Sequence, residues 1–262
     1  MLILESPTTL TALAYLSLDN VRIRPDTLWQ LLCPSTNIKA LCLVDIICMS
    51  DIAWRPPQTA RLHLPRLTHL EISCYYDSEP AIIAQWASCL DLPRLESVDL
   101  TDVSSPDLLA LAPCFRDSLR KLSYEHEHEP QGLAHVFAAF PHVRELSFSS
   151  RTHFLPELAL LQAMADGTVF PELERLLFWG VDLIWNPEPA EEVDEYMDGD
   201  EARATAEALM DFVRSRNSLE HRDAALAQER RPPPRLELIQ FNEGKIDDQF
   251  FCDLKELVAV HF

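Results

Sequence analysis

The sequence predicts an α/β solenoid, a right-handed coil of about eight short parallel strands, each followed by a helical or irregular return. Three observations predict it. An apolar frame of the form LxxLxL recurs eight times along the 262 residues, most clearly as Leu95-x-x-Val98-x-Leu100. Successive copies begin 25, 29, 28, 24, 24, 30 and 63 residues apart, and all but the last interval hold one strand and one return. A proline stands two residues before the frame in five copies, at Pro65, Pro93, Pro141, Pro171 and Pro234. Proline lacks an N–H and disfavours helix in the residue before it, so it stops the return and starts an extended segment.

Taken in order, the copies are Leu13/Leu16/Leu18, Ile38/Leu41/Leu43, Leu67/Leu70/Ile72 and Leu95/Val98/Leu100, then Leu119/Leu122/Tyr124, Val143/Leu146/Phe148, Leu173/Leu176/Phe178 and Leu236/Ile239/Phe241. The last two apolar positions are two apart, so in an extended chain they point to one face. Between the strands, Leu28, Leu31 and Leu32 after Pro25-Asp26 have helical spacing. The stretches opening at Pro80, Pro106, Gln131 and Pro156 repeat that plan. The 63-residue interval holds an acidic, proline-containing loop insertion at 186–201, a helix over Ala202–Ser218 and an extended spacer over Leu219–Pro234. Residues 246–262 read as a terminal helix or a degenerate ninth unit capping the stack. The whole chain, 1–262, is expected to be one domain.

An LxxLxL core with a period in the twenties resembles the leucine-rich repeat, and units of this length resemble its ribonuclease-inhibitor-like class. The resemblance implies a horseshoe with the parallel sheet on the concave side and helices on the convex side. The family commonly places Asn or Cys three residues after the second strand leucine. Here those positions are Val21, Ile46, Tyr75, Val103, Glu127, Arg151, Val181 and Gly244, so an irregular horseshoe is expected.

The formal charge is −20, which disfavours nucleic acid and anionic membranes as partners, since both are polyanions. Eight acids lie in Glu188–Glu201, and the remainder still carries −12. Seven cysteines, an odd number without CxxC, are scattered among the repeats as small apolar residues and point to a reducing compartment, cytosol or nucleus. The segment before the first copy meets Glu5 after three apolar residues, so it does not read as a signal peptide. Either Met1–Thr9 folds over the exposed edge of the first copy, or the chain continues a longer product. The expectation is a piece of a longer product.

For chemistry, His126 and His128 share a face if extended and could hold zinc, but no third ligand has recognisable spacing. The acidic insert lacks the alternating order of a calcium loop, and the bland reading is a solvated strip able to dock a basic partner. Leu155-Pro156-Glu157-Leu158 resembles the opening of an F-box, yet it falls where every other unit has its helix. No nucleophile elbow, phosphate loop or dinucleotide fingerprint occurs, so neither catalysis nor a cofactor or resident metal is expected. A metal-dependent enzyme using His126 and His128 stays a remote alternative.

The concave face remains. Residues flanking the core positions of each strand face it, and solenoids bind other proteins there. The candidate contacts are Tyr15, Asp19, His69, Glu71, Asp99, Thr101, Lys121, Glu125, Glu145, Arg175, Trp179 and Gln240. Arg175 and Trp179 are of the types most often found as interface anchors. Irregular PxLxxLxL repeats with scattered cysteines resemble fungal F-box leucine-rich-repeat proteins. That implies the substrate-recognition region of a ubiquitin-ligase receptor, a monomer or part of a larger ligase complex. A stand-alone scaffold or inhibitor is the alternative.

Overall fold

The computed structural model describes residues 11–48, 54–57, 59–74, 83–126, 132–150, 158–180, 199–218, 234–242, 246 and 248–261. It divides into two compact units, Met1–Leu122 and Ser123–Phe262. The first unit contains β1 (Tyr15–Asp19), β2 (Arg22–Ile23), α1 (Pro25–Leu32), β3 (Ala40–Val44), β4 (Ile47–Cys48), β5 (Leu62–His63), β6 (His69–Ser73), a 3₁₀ helix at Ala84–Cys89, β7 (Leu90–Asp91), β8 (Ser97–Thr101) and α2 (Ser105–Phe115). The division falls inside β9 (Lys121–His126). The second unit continues with α3 (Leu133–Phe137), β10 (Glu145–Ser150), α4 (Leu158–Ala165), β11 (Arg175–Trp179), α5 (Gly199–Asn217), β12 (Leu238–Asn242), α6 (Asp248–Lys255) and β13 (Ala259–His261). This is an α/β fold whose sheet strands follow chain order, pair in parallel and alternate with helices, as a leucine-rich-repeat-like solenoid requires.

In the first unit the register runs Leu16, Leu41, Leu70, Val98 across one row and Leu18, Leu43, Ile72, Leu100 across the next. In the second, Leu146, Leu176 and Ile239 form one row, and Phe148, Phe178 and Phe241 the other. From Leu41 onward these residues are buried, as the period of two predicts. Only Leu16 and Leu18, on β1, are half-exposed.

The prolines act more locally than the sequence suggested. Leu67 N donates to Leu64 O, Leu95 N to Leu92 O, Val143 N to Phe140 O and Leu173 N to Phe170 O, at 3.0–3.4 Å. Each is a turn with proline at its second position, where the fixed φ suits the geometry. A second regularity lies at the strand ends. Asn20, Asp45, Asp102 and Gly180 have φ of 50°, 51°, 54° and 65°, one residue before the positions at which the family's asparagine was sought. Asn, Asp and Gly tolerate this left-handed region best. The amides of Asn20, Asp45 and Gly180 donate to Val44, Ser73 and Asn242 carbonyls at 2.9–3.0 Å, so each turn is tied to the next strand.

Two returns differ from expectation. The described part of the stretch opening at Pro80 is a 3₁₀ helix rather than an α-helix, because β7 starts directly after Cys89 and leaves room for only a short, tight return. α5 begins at Gly199, so the end of the acidic run is helical; residues 181–198 and 219–233 lie outside the described residues. At the C-terminus α6 is followed by β13, which pairs in parallel with β12, so a ninth strand is present. Among the described residues no helix is long and apolar enough to cross a membrane.

Candidate functional site on the open sheet face

Parallel pairing turns the alternation of each strand into a grid. In the first unit the rows facing away from the core are Tyr15–Ala40–His69–Ser97, Ser17–Cys42–Glu71–Asp99 and Asp19–Val44–Ser73–Thr101. The first unit's predicted contacts on β1, β6 and β8 therefore share one surface, with Asp19 and Thr101 at the carboxyl ends of their strands. Tyr15 is 58% exposed.

The middle of this grid is a cluster of polar side chains. The Tyr15 hydroxyl and Cys42 Sγ are 3.5 Å apart. One donor atom each from Cys42, His69 and Glu71 lies within 4.8 Å of the other two. His69 Nδ1 is 3.4 Å from Ser97 Oγ, and Nε2 is 3.7 Å from Asp99 Oδ2. Although it faces outward by strand parity, Cys42 is only 4% exposed. Burial pushes its thiol up from the ordinary range, the Tyr15 hydroxyl works the other way, and the carboxylates of Glu71 and Asp99 add to the rise. Asp99 is also raised, first by burial; the facing His69 lowers it and Glu71 raises it. Like charges directly opposite on neighbouring strands repel, and Glu71 and Asp99 are such a pair.

In the second unit the outward rows are Glu145–Arg175–Leu238–Ala259, Ser147–Leu177–Gln240–His261 and Ser149–Trp179–Asn242. Arg175 Nη1 donates to Glu145 Oε2 at 2.8 Å, and Gln240 Nε2 to Asn242 Oδ1 at 2.9 Å. Trp179 is 41% exposed beside them. Predicted anchors Arg175 and Trp179 thus stand on one strand, with Arg175 engaged by Glu145. Lys121 and Glu125, four apart and so on one face of β9, lie on either side of the division.

Of the predicted zinc pair, His126 ends β9, while its side chain and residues 127–130 lie outside the described residues. The triad of Cys42, His69 and Glu71 was not assembled from sequence. Its place between Leu41 and Leu43 puts Cys42 on the outward face, but spacing alone does not mark it as a ligand. His69 and Glu71 share a strand, but only register brings Cys42, 27 and 29 residues earlier in the chain, beside them.

A scan against protein-family models finds no match to this chain, and a search of curated proteins finds none either.

Proposed function

We propose that this chain is a protein-recognition module that binds its partner on the outward face of the sheet. One observation carries the reading: in each unit the buried rows are wholly apolar, while the outward rows hold Tyr15, His69, Glu71 and Asp99 in one case and Glu145, Arg175 and Trp179 in the other. Stability and recognition therefore rest on different side chains of the same strands, which suits a surface varied for partner choice. Exposed Tyr15 and Trp179 supply the large amphipathic contacts that dominate interface energetics. The more specific proposal is the substrate-recognition region of an F-box-type ubiquitin-ligase receptor. It is supported by the likeness of the irregular, proline-led repeats to that family. A stand-alone scaffold or inhibitor would share the recognition face without the ligase.

The test is affinity capture with the wild-type chain and three variants. Tyr15→Ala/Asp19→Lys and Arg175→Glu/Trp179→Ala alter the two faces, and Leu109→Ala alters an exposed residue of α2 as a control. A partner lost with a face variant and kept with the control supports recognition there. A partner held equally by all four would remove the sheet face from consideration. Ubiquitylation of that partner, dependent on this protein in the source cell, separates the ligase reading from the scaffold reading.

A further inference from the structure

We infer that Cys42, His69 and Glu71 form a binding site for a zinc-type divalent cation on the outward sheet face of the first unit. The inference is independent of whether the face binds a protein. Three different donor types converge there: a thiol from β3 and an imidazole and a carboxylate from β6, each within 4.8 Å of the others. Around a tetrahedral zinc ion, ligand atoms about 2.0–2.3 Å from the metal stand about 3.4–3.6 Å from one another. Closing from the observed spacing requires shifts of about 1 Å, within reach of side-chain rotation on a fixed sheet.

The backbone supplies the preorganisation. Cys42 and Glu71 are direct register partners, and His69 is two residues from Glu71 on the same face. The imidazole stands between Ser97 Oγ at 3.4 Å and Asp99 Oδ2 at 3.7 Å. Metal-bound histidines are commonly oriented by such neighbours through the other ring nitrogen. Asp99 is therefore a positioning residue, held against the imidazole rather than among the three donor atoms. A dication between Glu71 and Asp99 would also relieve the repulsion their register imposes.

The donor set selects the metal. Thiolate and imidazole favour zinc and its neighbours over magnesium and calcium, which prefer all-oxygen shells. Binding replaces the S–H bond of Cys42 with a sulfur–metal bond and releases that proton to solvent. Three protein ligands leave a fourth position for water or a partner's side chain.

The experiment titrates Co²⁺, then Zn²⁺, into the full chain after chelation and dialysis. The wild type should bind one Co²⁺ with a thiolate-to-cobalt charge-transfer band and tetrahedral d–d bands, both erased by one equivalent of Zn²⁺. Cys42→Ser should abolish the charge-transfer band. His69→Gln and Glu71→Gln should each weaken Zn²⁺ by more than about 100-fold, and Asp99→Asn by about 10–100-fold. Cys33→Ser and Cys252→Ser, at exposed cysteines, should change nothing. Glu71→Gln keeps shape and size, so it tests the site even if another variant misfolds. A wild type that forms no one-to-one complex would overturn the inference. So would a charge-transfer band that survives Cys42→Ser or disappears with an exposed-cysteine variant, or Zn²⁺ held as tightly by Glu71→Gln as by the wild type.

Discussion

The two units repeat one strand frame and fill it differently. In the first, the buried strand positions are aliphatic: Leu41 and Leu43, Leu70 and Ile72, Val98 and Leu100. The aromatic mass lies off the sheet, where Trp29, Trp54 and Trp86 meet with ring centroids 5.3–6.0 Å apart. In the second, the last buried position of each strand is aromatic, at Tyr124, Phe148, Phe178 and Phe241, with Phe178 stacked on Phe241 at 5.2 Å. Edge-to-face and offset contacts among such rings add to the burial itself. The second unit also buries Arg216 completely. Its guanidinium donates to the carbonyls of Met164, Phe170 and Pro171 at 2.9–3.3 Å and lies 5.4 Å from the Phe212 ring centre. Burial lowers its pKa to about 10. Phe170, whose carbonyl it holds, has φ of 47°, which is uncommon for a bulky residue. A repeat frame constrains where side chains point, while the filling decides what else each unit needs. In the second unit one such turn, Phe170–Pro171, is held by the Arg216 guanidinium.

The largest loss is expected at a core position that both units share. Leu100→Asp in the first unit or Leu146→Asp in the second places a carboxylate in an apolar row and should cost several kcal/mol, enough to lose cooperative unfolding of the affected unit. A denaturant melt identical to wild type would contradict the shared-core reading. A graded version sharpens the contrast. Phe178→Ala should destabilise by about 3–5 kcal/mol and Ile72→Val by about 0.5–1.5 kcal/mol, because the cavity left is so much larger. Equal losses would mean that the aromatic row is loosely packed.

The clamp should matter less than Phe178. Arg216→Met keeps the stem but strands three carbonyls, for a cost of about 1–3 kcal/mol. An unchanged melt would mean that the guanidinium's own desolvation offsets its bonds. The smallest effect separates a half-buried thiol from an exposed one. Cys114 Sγ donates to Ala87 O at 3.2 Å, and burial pushes its pKa from 9.0 to about 11. It should resist iodoacetamide at pH 8 while Cys252 reacts. Between those two values the folded state holds the thiol proton more often than the unfolded chain, so this group's contribution makes stability fall as pH rises through that window. Cys114→Ala should remove that part of the slope, read from urea melts.

Much of the fold was legible because its signals are local. Leu16 and Leu18, or Val98 and Leu100, are two residues apart, and a strand turns that spacing into one face whatever surrounds it. Pro25-Asp26 and Pro106-Asp107 open helices α1 and α2 where their fixed φ and first-turn charge predict. The face carrying Tyr15, Asp19, His69 and Glu71 followed from the same parity. The 3₁₀ return at Ala84–Cys89 was not legible, since it depends on how soon β7 must begin. Nor were the left-handed strand ends at Asn20, Asp45 and Asp102, which the sequence offered one residue away from where they were sought.

Local spacing decides which strand residues point inward, which point outward and how often the strand recurs, because these follow from periods of two and of roughly two dozen residues. Depth of burial does not follow from it: Leu16 and Leu18 point inward yet are half-exposed, and outward-facing Cys42 is 4% exposed. Tertiary structure alone decided that Cys42 meets His69 and Glu71, and that Arg216 reaches across some fifty residues to hold the carbonyls of Met164 and Phe170. Both depend on register and on the route of the returns. A one-residue slip of β3 against β6 would keep every local signal and still pull the donor cluster apart.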